Sequence, residues 1–192
     1  MEHTRKIQFA TPEDAEALLE IYAPYVRDTA ISLEEQPPSA EEFRSRIART
    51  LSRYPYLVLR QDGQTAGYCY ASAFHPRSAY RYSAELSIYL RPECRGQGGG
   101  AALYRQMEEL LRAQGIQNLY ACLAFTDRPD DPYLSDASLR FHTRQGYRLV
   151  GRFLQCAYKF GRWYDMIWME KALGSHPPVP GEFVPYADMH KN

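Results

Sequence analysis

The chain has 192 residues, with 23 acidic and 23 basic side chains and no net charge. That length suits one domain with a real core, and the charge balance argues against a nucleic-acid binder that works through a strongly basic face. Cys69, Cys94, Cys122 and Cys156 stand far apart, with no C-x-x-C pair and no His at ligand spacing, so no metal site and no disulfide framework is expected. Reduced thiols in a cytoplasmic protein are the expectation. Residues Met1 to Lys6 lack the apolar stretch of a signal peptide, and no uncharged apolar run approaches membrane-spanning length. Sixteen Tyr and eight Phe predict an aromatic interior, part of which lines a pocket or an interface.

In chain order, Lys6 to Ala10 is a strand candidate. Thr11-Pro12-Glu13-Asp14 is a helix start, with a cap residue, proline at the first position and acids in the first turn. Leu18, Leu19 and Tyr22 supply the apolar stripe of that helix. Ala30 to Pro38 reads as an irregular loop, after which Ser39 and Glu42 form a capping box for a second helix carrying Phe43, Ile47 and Leu51 on one face. Strands at Tyr56 to Arg60 and Thr65 to Ala73 flank Asp62-Gly63, the signature of a hairpin. Ser83 to Leu90 is the next strand. A glycine turn then opens a helix with Leu103, Met107, Leu110 and Leu111 at helical spacing, ended by Gly115. Asn118 to Phe125 is a strand, and Ser135-Asp136-Ala137-Ser138 starts a helix that Gly146 closes. Two last strands, Tyr147 to Lys159 and Trp163 to Lys171, turn at Gly161. From Gly174 the chain is Pro-rich and shows no convincing element. The expected organisation is one α/β domain over 1–173, a mixed sheet with helices on both faces, followed by a tail over 174–192.

The segment with most chemical content is Arg95-Gly96-Gln97-Gly98-Gly99-Gly100-Ala101 between strand and helix. A glycine turn that opens a helix presents backbone N–H groups and the positive end of the helix dipole, a seat for a phosphate or pyrophosphate, and Arg95 adds a cation. The same residues satisfy the dinucleotide fingerprint G-x-G-x-x-A, which belongs to repeated βαβ units. Here a hairpin precedes the motif, only one more helix follows, and no acid ends the next strand at the expected distance. A P-loop needs Lys-Ser or Lys-Thr after the last glycine, where this chain has Ala101-Ala102. A plain tight turn remains an alternative, but four glycines within five residues are costly to order.

The turn Arg95 to Gly100 resembles the Arg/Gln-x-x-Gly-x-Gly/Ala turn of the GNAT acetyltransferases. Tyr54-Pro55-Tyr56-Leu57-Val58, Gly67 to Ala71, Ala79 to Glu85, Ser138 to His142, Gly146-Tyr147 and Tyr158 to Asp165 are similar to its phosphinothricin N-acetyltransferase branch. The resemblance runs from about Ile7 to Leu173. It implies the GNAT fold with a mixed seven-stranded sheet, acetyl-CoA as cosubstrate, and direct acetyl transfer to a primary amine. The pyrophosphate would rest on Arg95, Gly96, Gln97, Gly98, Gly99 and Gly100. The pantetheine arm would pair with Ile88, Tyr89 and Leu90 as an added strand, one of whose N–H groups would serve the oxyanion. Glu85 aligns with the family's acid on this strand and is the expected general base. His142 is expected as auxiliary base or as a packing residue near the cofactor, with Phe141 beside it, and Tyr147 as a possible acid for the thiolate. The family's Asn before the cofactor-side helix is replaced by Ser135, which leaves a shorter hydrogen bond or a helix cap as its role. Ser138 is retained.

Relatives of this branch acetylate the α-amino group of phosphinothricin or methionine sulfoximine. A carboxylate-bearing acceptor needs a cation, so Arg77 and Arg81, set among Phe74, Tyr80 and Tyr82, are candidate acceptor residues, with Leu33 and Glu34 from the first loop. The resemblance also implies a homodimer. The other function classes considered are a CoA-binding regulatory protein without turnover and an NAD-dependent oxidoreductase.

Overall fold

The computed structural model describes residues 4–189. Met1 to His3, part of the segment read for a leader, and the last three residues of the tail lie outside the described residues. The strands are β1 (Arg5–Phe9), β2 (Tyr56–Gln61), β3 (Gln64–Ala73), β4 (Ser83–Leu90), β5 (Asn118–Phe125), β6 (Arg148–Lys159) and β7 (Arg162–Ala172). They form one seven-stranded sheet in the order β1-β2-β3-β4-β5-β7-β6. The helices are α1 (Ala15–Asp28), α2 (Ala40–Leu51), α3 (Gly99–Ala113), α4 (Ala137–Arg144) and a single turn, α5 (Tyr186–Met189).

Local chemistry sets these elements where the sequence predicts them. The Thr11 N–H donates to the Asp14 carboxylate at 2.8 Å, and a 3-10 turn over Pro12–Asp14 leads into α1. Ser39 Oγ accepts from the Glu42 N–H at 3.1 Å and caps α2. Asp62 and Gly63, at φ 51° and 82°, both take the left-handed conformation of a two-residue hairpin turn between β2 and β3.

Alternation along β2 divides the core. Leu57 and Leu59 point to one face and pack with Leu103, Tyr104, Met107 and Leu111 of α3. Tyr56 and Val58 point to the other, against Leu18, Tyr22 and Val26 of α1 and Phe43 and Ile47 of α2. Both faces are therefore covered.

Only β4 and β5 run parallel, linked by the α3 crossover, and they pair over just three positions: Ser83 with Asn118, Ala84 with Leu119 and Glu85 with Tyr120. Beyond Glu85 the two strands part. β4 stays paired with β3 as far as Leu90, and β5 with β7 as far as Phe125. The result is a wedge-shaped gap in the middle of the sheet with Glu85 at its vertex.

The chain beyond Gly174 runs back over the body, a departure from the featureless tail the sequence suggests. The Val184 N–H donates to the Gln114 carbonyl at 3.0 Å, and Gln114 Nε2 donates to the carbonyls of Arg53 (2.9 Å) and Val184 (2.8 Å). Phe183 packs against the core, with the Arg53 guanidinium 4.7 Å from its ring centre. Two aromatic side chains, Phe183 and Tyr186, the latter 5.4 Å from the Phe9 ring, and a few hydrogen bonds hold this segment, so it leaves no periodic pattern to read.

Candidate active site

Glu85 is the last β4 residue to pair with β5, and its side chain points to the α1/α2 face, the same face as its register partners Ser72 and Tyr120. It is half-buried, and burial raises its carboxyl above the usual carboxylate value. Burial first, and then the Glu85 charge, pushes the Cys122 thiol up to about 12. Cys122 is thus a neutral thiol in the gap and not a nucleophile.

The edge of β4 facing the gap follows from its hydrogen bonds. The Leu90 N–H donates to the Tyr25 hydroxyl at 3.1 Å, and the Leu90 carbonyl accepts from the same hydroxyl at 2.5 Å. Leu90 therefore points its backbone groups away from β3, and the alternation of an antiparallel ladder turns those of Ile88 to the gap as well. Tyr89 is corrected: its backbone groups turn toward Tyr68 of β3, and its ring lies edge-on to Tyr22 and Tyr25 at 4.9 and 5.0 Å. Of the three residues expected to pair with an extended arm, Ile88 presents its backbone, Leu90 shares its own with Tyr25, and Tyr89 contributes a side chain to the packing behind.

The glycines of the turn have two different causes. Gly96 and Gly98 hold φ of 70° and 86°, and Gly98 is the cap residue of α3. Gly99 and Gly100 stand at close approaches: a Cβ on Gly99 would lie 2.6 Å from Leu59 Cδ2, and one on Gly100 3.1 Å from Phe141 Cε2, so a side chain at either would make these neighbours shift. Close packing of α3 on the sheet and on α4 thus explains half of the glycine run. The Gln97 side chain turns away, with its Oε1 accepting from Gln61 Nε2 (3.1 Å) and its Nε2 donating to the Glu93 carbonyl (2.7 Å). The Arg95 guanidinium lies 5.0 Å from the centre of the Tyr25 ring.

Between this turn and α4 runs a groove of about 300 Å3, lined by Tyr25, Ile31, Ile88, Leu90, Arg95, Gly96, Ala137, Ser138, Arg140, Phe141 and Arg144. It adjoins a smaller cavity of about 50 Å3 inside the wedge. That cavity is lined by Leu86, Ile88, Leu123 and His142 from one face of the sheet and by Ser87, Tyr89, Cys122 and Ala124 from the other, so the gap passes through the sheet. Ile31, Ser138 and Ile88 line both spaces.

His142 is buried at the inner end of α4. Its Nδ1 is 2.8 Å from the Ser138 carbonyl, which only accepts, so Nδ1 carries the hydrogen and Nε2 accepts from the Tyr104 hydroxyl at 2.8 Å. Burial lowers its pKa and the Ser138 bond only partly offsets this, so the ring is neutral. Both nitrogens are engaged, which suits the packing role of the two expected for it. Tyr147 lies in the core beside Tyr104 and His142 rather than in either cavity, and burial raises its hydroxyl far above the ordinary value. The structure does not bring Tyr147 to the site. Ser135 Oγ accepts from the Ala137 N–H at 3.4 Å, a loose cap at the start of α4, and does not line the groove.

The expected acceptor residues divide. Phe74 stacks on Tyr120 with ring centres 4.1 Å apart and meets Trp168 edge-on at 5.5 Å, an aromatic cluster beside the Tyr120 that pairs with Glu85. Tyr80 meets Phe74 at 6.0 Å. Arg77 and Arg81 flank the 3-10 turn Ser78–Tyr80 and are exposed, with Arg81 Nη1 donating to the Ser78 carbonyl. Neither lines the gap. Glu34 Oε1 is bound by Arg46 at 2.6 Å, and Leu33 is exposed next to it.

The sequence did not single out Tyr25, Ile31, Arg140 or Arg144 as site residues. Tyr25 reads as part of an apolar helix stripe, and the two arginines as solvated helix positions. Ile31 is placed by an unforeseen contact from the far hairpin: Lys159 Nζ donates to the carbonyls of Val26 (2.7 Å), Thr29 (3.0 Å) and Ser32 (2.7 Å), fixing the loop that follows α1.

A parallel pair that splays beside a glycine-capped helix can hold an extended, phosphorylated thioester with its reactive end near the vertex. Residues 7–168 match the model of the acetyltransferase (GNAT) domain. The chain belongs to this family. It is 34% identical over 170 residues to a phosphinothricin N-acetyltransferase of Alcaligenes faecalis, covering 88% of this chain and 83% of that protein. It is 29% identical over 171 residues to an L-methionine sulfoximine/L-methionine sulfone acetyltransferase of Salmonella typhimurium, covering 88% and 95%. Among solved structures it is similar to a GNAT-superfamily phosphinothricin acetyltransferase from Sinorhizobium meliloti in complex with AcCoA, with a TM-score of 0.82, 33% identity, and 96% and 97% of the two chains covered. The GNAT acetyltransferase is thus an enzyme of the acyl-transfer class. The dinucleotide reading of Gly96 to Ala101 finds no support.

Proposed function

We propose that this GNAT enzyme transfers the acetyl group of acetyl-CoA to the primary amine of a small molecule, the α-amino group of an amino acid or a glutamate-like analogue of the phosphinothricin and methionine sulfoximine type. Acetyl-CoA supplies an activated acyl group as a thioester. The residues present suit it. Outward N–H groups at the start of α3 and the Arg95 guanidinium answer the charge of a pyrophosphate. The Ile88 backbone, turned to the gap, offers the ladder that an extended arm with amides needs, and its N–H can take up negative charge developing on a carbonyl oxygen.

Glu85 carries the reading. A base that removes a proton from an ammonium near neutral pH works best with a raised pKa, and Glu85 has one at the vertex of the wedge. Arg77 and Arg81 are exposed on the turn after β3 and lie outside the gap, so their proposed pairing with the acceptor carboxylate requires that turn to bend toward Glu85. The support for the acceptor class is the pair of relatives with these substrates in their names. The exposed apolar side chains of the edge strand β6 support a homodimer.

Replacing Glu85 by Gln should lower kcat by about a hundredfold or more, with the acetyl-CoA dissociation constant little changed. In the parent enzyme, kcat/KM for the acceptor should rise with pH as Glu85 loses its proton, with a midpoint above the ordinary carboxylate value. The readout is free CoA thiol released with phosphinothricin, methionine sulfoximine, methionine sulfone and simple amines as acceptors. Turnover that survives Glu85→Gln unchanged would remove the base assignment.

A further inference from the structure

The groove beside the glycine turn is more positive than a pyrophosphate requires. Its lining contains three guanidinium groups, Arg95, Arg140 and Arg144, and no carboxylate. Arg95 belongs to the turn. The other two belong to the opposite wall, four residues apart on α4, so they share one helical face about 6 Å apart along its axis.

Each arginine has a possible structural role, and neither role accounts for the placement. Arg140 pairs with Asp136, one turn earlier, but both side chains are more than half exposed (57% and 53%), and such a pair contributes little. Arg144 stands in the last turn of α4, where the helix dipole favours a cation, and has no ion-pair partner among the described residues. A helix-stabilising cation can occupy any side of the helix. These two are both on the side that lines the groove, facing the wall that carries Arg95.

We propose that Arg140 and Arg144 form a second phosphate site, which receives the ribose 3′-phosphate of coenzyme A and makes the enzyme select acetyl-CoA over acetyl-dephospho-CoA. This rests on the acetyl-CoA reading of the groove. The chemistry is that of a phosphate monoester, close to dianionic at neutral pH, taken by planar guanidinium forks. The charge of the pyrophosphate is already met by the α3 N-terminus and Arg95, and the third phosphate of the cofactor is the anion still to be matched.

Isothermal titration with CoA and with dephospho-CoA needs no knowledge of the acceptor. The parent enzyme should bind CoA at least about tenfold more tightly than dephospho-CoA. The double variant Arg140→Gln/Arg144→Gln, checked for an unchanged melting temperature, should lose about tenfold or more in CoA affinity and keep its dephospho-CoA affinity within about twofold. KM for acetyl-CoA and acetyl-dephospho-CoA should follow the same split, with kcat unmoved. Equal binding of the two ligands by the parent enzyme, or equal weakening of both by the double variant, would overturn the assignment and leave the donor reading standing. Failure of the parent enzyme to bind either ligand would overturn both together.

Discussion

His142 shows how a residue's surroundings decide its role. Its neutral ring receives the Tyr104 hydroxyl and gives its hydrogen to the Ser138 carbonyl, so protonation would break the first bond and place a charge in the core. Its folded pKa is lowered from the ordinary 6.5. Unfolded chains therefore take up this proton at higher pH than folded ones, and the stability His142 contributes is complete above about 6.5 and is lost as pH falls toward the folded value. Melting temperatures between pH 7.5 and 5 should drop less steeply in His142→Gln than in the parent protein; identical slopes would assign the acid sensitivity elsewhere. At this scale, the place of Glu85 on β4 and the glycine turn that opens α3 were legible because the signal is local, whereas the proposed role of Glu85 as base came from the family resemblance and not from the residue pattern. Tyr25 was not legible, because its hydroxyl acts on Leu90, 65 residues away, while its ring conforms to the apolar stripe of α1. Tyr147 misled for the opposite reason, since a tyrosine that follows a helix-ending glycine looks the same in a sequence whether it enters a core or a cleft.

The loop between β5 and α4 is organised by one carboxylate. Asp131, with a fully buried side chain, accepts from the N–H groups of Tyr133 (2.9 Å) and Leu134 (3.1 Å), from the Tyr164 hydroxyl (3.1 Å) and from Arg162 (3.1 Å). Burial pushes its pKa up, but these donors outweigh burial and hold it below the usual value. Leu134, fixed in this way, lines the inner cavity. Asp131→Ala should cost about 3 kcal/mol in urea denaturation, because Arg162 and Tyr164 lose their shared partner. Limited proteolysis should then cut first within residues 126–136. A loss below about 0.5 kcal/mol would mean that solvent replaces those bonds freely. The helices and strands themselves were readable from caps, alternation and Asp62-Gly63. The parting of β4 from β5 was not, since each is an unremarkable eight-residue strand and only their register reveals the gap.

On the whole molecule, β6 is an edge strand that exposes Leu149, Val150, Phe153 and Leu154, the last at 71%, with Tyr158 and Trp163 exposed at the hairpin end. Exposed apolar side chains along an edge strand suit the proposed pairing with a second copy. Leu154→Asp together with Phe153→Asp should convert a dimer to monomer in sedimentation, and a sedimentation coefficient unaltered by the pair of charges would place the contact elsewhere. The sheet's central opening has a consequence of its own. Because side chains from both faces of the sheet line the gap, the proposed donor and amine would approach Glu85 from opposite faces. Under that proposal neither vacates a shared entrance for the other, and transfer would proceed with both reactants seated at once.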